Sequence, residues 1–142
     1  MTTYAHNLPP SPRGKRYAFS SSPDVCVEFR TPPGAGSRKI KGLDTIRTTL
    51  LDHVGPMDTT HMTSNIRVNH KEGEETASLT CYTLAQHCPP GRGKEPDGPK
   101  YLAAGEYVMD LVFDKSDRLW KIQEWVLDII WSQGDQSVME RS

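Results

Sequence analysis

Four long stretches in the second half of the chain, 59–70, 76–87, 101–114 and 119–131, alternate in side-chain character with period two. Neighbouring side chains in a strand point to opposite faces, so each stretch reads as a strand with one packed face. "KEGEE" and "KSDR" supply turns inside the series, which makes the late part of the chain an antiparallel meander. Against these strands stands one helical pattern. In "GLDTIRTTLLDHVG", Leu43, Ile46, Leu50 and Val54 recur at helical spacing, Asp44 lies at the positive end of the helix dipole, and Gly55-Pro56 stops the run. One helix cannot cover both sides of four long strands, so the sheet must curl around it and leave a pocket between helix and concave face. The predicted class is α+β, a cone-shaped, curved antiparallel sheet wrapped around a helix.

The rest of the chain is organised around that unit. "DVCVEFR" reads as a shorter strand ended by the turn-rich "TPPGAGSRK". Residues 1–23 carry four prolines and no periodic apolar pattern, and read as a flexible or irregular lead-in to a domain over 24–142. "CPPGRGKEPDGPK" is a long loop suited to a lid or an interface; its "GRGK" lacks the spacing and the following helix of a phosphate loop. With 142 residues the chain fits one domain. Seventeen basic residues against eighteen acidic ones, scattered along the chain, argue against nucleic-acid and anionic-membrane partners. No apolar run is long enough for a signal peptide or a bilayer span, and a cytoplasmic location is expected. Cys26, Cys81 and Cys88 form no CxxC pair, which argues against a disulfide framework and a structural zinc site, so no metal is expected.

The chemistry is concentrated in "DTTHMTSNIRVNH". His61, Thr63, Asn65 and Arg67 share one parity, and Met62, Ser64, Ile66 and Val68 the other. Imidazole titrates near neutrality and is suited to general acid or base work, so His61 is the candidate catalytic residue and its face is read as looking into the pocket. A surface histidine is the competing reading. Asn65 is placed to hydrogen-bond a substrate oxygen. Tyr107 and Trp125, with Met109 and Leu111 beside them, would form an aromatic wall for a flat polycyclic or polyketide-like molecule, and Tyr82 is counted among the substrate contacts. Glu106, Asp110, Glu124 and Asp128 fall on the opposite parity, a solvated or interface face.

The segments "IKGLDTIRTTL", "DTTHMTSNIRV", "YLAAGEYVMDLV", "LWKIQEW" and "IIWSQGD", in that order, resemble the SnoaL-like branch of the nuclear transport factor 2-like superfamily. The resemblance runs from about Asp24 to Asp135. It implies a cone-shaped barrel with a deep apolar cavity in a dimer or trimer, and a lyase or isomerase, such as a dehydratase or cyclase, that needs no metal or organic cofactor. It also implies that the histidine of "THMTSN", His61, removes a proton beside the leaving group, oriented by an aspartate of an N-terminal helix. This chain departs from that pattern: Tyr4 and Tyr17 precede the first strand, but no acid does before Asp24, and Trp125 stands where a basic residue is often found. A small-molecule-binding or oligomerisation domain without catalysis is the alternative.

Overall fold

The computed structural model describes residues 21–30 and 36–140. Its six strands are β1 (Ser21–Arg30), β2 (Ser37–Lys41), β3 (Asp58–His70), β4 (Thr76–Cys88), β5 (Tyr101–Asp114) and β6 (Leu119–Gly134), in one sheet of order β2-β1-β6-β5-β4-β3. All neighbours are antiparallel except β1 and β6, which run parallel because the chain crosses over between them. The four late strands follow the alternation read from the sequence, and β6 continues to Gly134. β1 starts at Ser21, ahead of the expected start at Asp24, while residues 1–20 of the predicted lead-in lie outside the described residues. β2 was not legible as a strand: "SRKIK" is five residues with a single apolar side chain, Ile40, which becomes buried by pairing with Val27.

The helical stretch is less regular than its spacing implies. α1 (Leu43–Ile46) passes into a π-helical turn, Arg47–Leu51, and then into α2 (Asp52–Val54). Threonines explain the widening. The Thr48 hydroxyl donates to the Asp44 carbonyl at 3.0 Å, and the Thr49 hydroxyl donates to that of Thr45. Such back-bonds compete for the carbonyls that the helix ladder would use. Ile46 is buried and Leu50 half-buried against Val25, Val27, Ile40, Phe29, Ile122 and Trp125, which together form the core. Leu43, counted in the predicted apolar stripe, is instead exposed.

Register divides the sheet into a helix-side face and an outer face. Val27 pairs with Trp125, Trp125 with Met109, Met109 with Leu79, and His61 with Ala85, so these residues belong to the helix side. Three irregularities bend the strands of the β3–β6 meander. In β3 the ladder passes from the Ser64–Tyr82 pair to the Arg67–Thr80 pair, so Asn65 and Ile66 oppose one residue of β4. Asn65 takes φ 53°, a left-handed conformation that asparagine tolerates better than most residues. The bulge moves Arg67 to the outer face with Thr80 and brings Val68 to the helix side with Leu79. In β6 similar shifts occur between Glu124 and Ile122 and between Trp131 and Ile129.

Gly105 sits at the last of these shifts. A Cβ there would stand 2.2 Å from the Asp128 carbonyl oxygen, a contact with backbone that no rotamer relieves. Gly105→Ala is therefore expected to cost about 1–3 kcal/mol of stability, seen as a lower urea midpoint. An unchanged midpoint would show that the two strands are not in this register.

Candidate functional site

The helix-side face of β3 and β4 brings two imidazoles together. His61 lies on β3, opposite Ala85, and His87 on β4, opposite Thr59; their ring centroids are 5.0 Å apart in an edge-on arrangement. His61 is exposed at the open side of the face, whereas His87 is buried at 6 % exposure and has its other flank toward Tyr101, 6.2 Å between ring centroids. Burial pushes the His87 pKa down to about 4, and the nearby His61 and His53 act in the same direction, with the Tyr101 backbone opposing them. His87 is accordingly neutral at pH 7. Its Nδ1 and the Thr83 hydroxyl, both on β4 and both buried, complete no well-formed hydrogen bond among the described residues. The Thr83 hydroxyl is nevertheless close enough to Tyr107 to favour ionisation of its phenol. Buried polar atoms of this kind are costly unless something completes them.

Deeper in the face lie the aromatic residues. Tyr107 and Trp125 meet edge-on at 5.0 Å, with Met109 and Leu127 in the adjoining pairs. Burial outweighs the Thr83 contact and raises the Tyr107 pKa, so the phenol stays protonated and can donate. The Cys81 thiol, buried between these groups, is also raised, by burial and by Glu106, which disfavours the thiolate a nucleophile needs.

Of the residues singled out in the sequence, His61, Tyr107, Met109 and Trp125 thus share one face. Two do not. Tyr82 pairs with Ser64 and Glu106 on the outer face and is 48 % exposed, because β4 alternates and only its odd-numbered residues point to the helix. Asn65 sits in the bulge, out of register with His61, so the simple parity that linked them ends at Ser64. The four acids do lie on the outer face, Glu106 directly opposite Asp128 and Asp110 opposite Glu124. His87 was missed as a site residue. Its signal was available, since it shares the odd parity of Thr83 and Ala85 on a strand that must pair with the His61 strand.

A cleft of about 580 Å³ opens at the end of the helix; its lining includes Asp52, His53, Met57, Pro89, Pro99 and Val138, and neither His61 nor His87. It lies where β4 leaves the sheet and β5 enters it, so the long 88–100 loop forms one wall. His53 Nε2 lies 3.0 Å from the Met139 carbonyl and ties the helix end to the 3₁₀ turn Gln136–Met139 that follows β6. No cluster of three or more His, Cys, Asp or Glu side chains among the described residues is arranged to hold a metal ion. No helix among them is long and apolar enough to cross a membrane.

The sequence matches the SnoaL-like domain over residues 22–126. Terrestric acid biosynthesis cluster protein E of Penicillium crustosum is 40% identical over 99 residues, which cover 70% of this chain and 63% of that protein. The chain thus spans less than two thirds of the length of this relative. Among solved structures, a protein assigned as a scytalone dehydratase from Novosphingobium aromaticivorans superposes with a TM-score of 0.60 at 23% identity, covering 82% of this chain and 70% of that one. A hexachlorocyclohexane dehydrochlorinase, LinA type 2, superposes with a TM-score of 0.55 at 16% identity, covering 86% and 75%. At these identities the likeness speaks for the fold alone.

Proposed function

The chain belongs to the SnoaL-like domain family, and from that premise we propose that it is a cofactor-independent lyase or isomerase of the dehydratase or cyclase type. Its substrate would be a polyketide-, terpenoid- or steroid-like small molecule of secondary metabolism. The relative named for a biosynthesis cluster supports the setting. The observation that carries the reading is the His61–His87 pair beside the Tyr107–Trp125 wall.

In this reading the two histidines divide the work. His61 is reachable from solvent, and an imidazole is the side chain suited to acid or base work. His87 is held neutral by burial and offers Nδ1 to a substrate or a water. For a β-hydroxy carbonyl substrate, His61 takes the proton from the α carbon, the C–H electron pair forms the new double bond, and the C–O bond breaks as the His61 imidazolium returns that proton to the hydroxyl, which leaves as water. The protonated Tyr107 phenol donates to the substrate oxygen where charge develops. Trp125 and Met109 present flat apolar surface to the ring system. Incubation with β-hydroxy ketone and aryl ketol substrates, followed by mass loss of water, tests the reaction. Tight binding with no turnover across that panel would leave the second reading, a small-molecule-binding domain, which the exposure of His61 favours.

A homodimer or homotrimer accompanies this reading. Tyr82, Val108 and Met62 place exposed apolar surface on the outer face. Sedimentation velocity at micromolar concentration is expected to show a dimer or trimer, and a lone monomer boundary would overturn it.

A further inference from the structure

The two edges of the sheet are built in opposite ways. β2 has five residues and carries Arg38, Lys39 and Lys41, the short and charged kind of edge that resists pairing. β3 has thirteen residues, and every one from Thr60 to His70 is exposed. It holds no lysine and no proline, and from Thr59 to Ile66 its only titratable side chain is His61. Met62, Ile66 and Val68 are 56, 46 and 61 % exposed. An edge of this length and neutrality is a template for another strand.

We infer that β3 pairs antiparallel with β3 of a second copy of this chain, about a two-fold axis at Met62. The register follows from the side chains. The bulge at Asn65 and Ile66 ends the regular ladder, so the pairing must lie within Asp58–Ser64. An axis at His61 would set two imidazoles opposite each other. An axis at Met62 sets methionine against methionine on the outer face, Thr60 against Ser64, and His61 against Thr63 of the second copy on the helix side. No like charges oppose one another in that arrangement, and an isologous contact closes at a dimer. The second copy then extends the wall on the open side of His61, where His61 and Thr63 are exposed although their β4 partners Ala85 and Thr83 are buried. That consequence for the site rests on the proposed catalytic reading; the strand pairing does not.

The test is cross-linking of the full chain. Directly opposed residues of an antiparallel pair have Cα atoms about 4.5–5.5 Å apart, within the span of a disulfide. In a Cys26→Ser background, which removes the one partly exposed native thiol among the described residues, Met62→Cys under mild oxidation is expected to convert most of the monomer band to a reducible dimer band, while the Cys26→Ser chain alone, whose Cys81 and Cys88 are buried, does not. Val108→Cys, at the centre of the outer face and 40 % exposed, is the control for face-to-face packing. Cross-linking of Val108→Cys without Met62→Cys overturns the edge pairing, as does a monomeric Met62→Cys chain. A readout free of substitutions is amide exchange: protection over Thr60–Ser64 should rise with protein concentration, and protection independent of concentration overturns the proposal. Neither readout uses turnover, so an inactive but paired protein would sink the catalytic reading alone.

Discussion

Replacing His61 with Gln is expected to lower turnover by roughly 10²–10⁴-fold, the usual contribution of a positioned acid or base, with little change in folding stability. The expectation follows from position. His61 is exposed on β3, so a side chain of similar size and polarity at that place leaves no buried group stranded. His87→Gln should behave differently. That imidazole is 6 % exposed, and its replacement disturbs packing against His61 and Tyr101 as well as any contact of Nδ1 with substrate. Both the thermal midpoint and turnover per folded molecule should therefore fall for His87→Gln, and turnover alone for His61→Gln. If His61→Gln lowers the midpoint while activity per folded molecule holds, the histidine is structural and the base must be sought elsewhere.

The contrast between the two histidines also shows what a sequence can reveal about this site. Period-two alternation located β3, β4, β5 and β6, because each strand has one face toward the helix and one away from it. Tyr107 and Trp125 do meet, but not through the hairpin register alone: Asp114 closes with Leu119, and the shift at Gln123 then sets Trp125 opposite Met109, one pair along the face from Tyr107–Leu127. Alternation could not reveal where it breaks. The bulge at Asn65 and Ile66 is a local choice of backbone that leaves the pattern of residue types intact, yet it separates Asn65 from the His61 face and exchanges Arg67 for Val68. Parity within one strand also does not say which parity faces the helix, and Tyr82, counted among the substrate contacts, lies on the outer face with Ser64 and Glu106. His87 required a cross-strand inference: β3 must pair with β4 before its ring can be set against that of His61. β2 escaped notice because its strand character comes from its partner β1 and not from its own five residues.

Burial of a neutral imidazole makes a second, thermodynamic prediction. In the unfolded chain His87 titrates at its ordinary value near 6.5, while in the fold its pKa is pushed down to about 4. A proton therefore binds the unfolded state more readily than the native one throughout the window between these values. Above pH 6.5 neither state takes the proton and the group has no effect on stability. As pH falls from 6.5 toward 4 stability is lost, at up to about 1.4 kcal/mol per pH unit and about 3 kcal/mol in all. The charges facing His87 act in the same direction, since His61 and His53 oppose a further cation and only the Tyr101 backbone favours one. Carboxylates held low by their partners, such as Glu28 between Arg30 and Lys39, lose their contribution at more acid pH, below the ordinary carboxylate value. The measurement is urea unfolding of the wild-type chain and of His87→Gln at pH 7 and pH 4.5. Gln cannot take up the proton, so the stability gap between the two proteins should shrink or reverse by about 2–3 kcal/mol on acidification. A gap that stays constant from pH 7 to pH 4.5 would mean that His87 is solvated in the folded protein, and the buried neutral partner assigned to His61 would be lost with it.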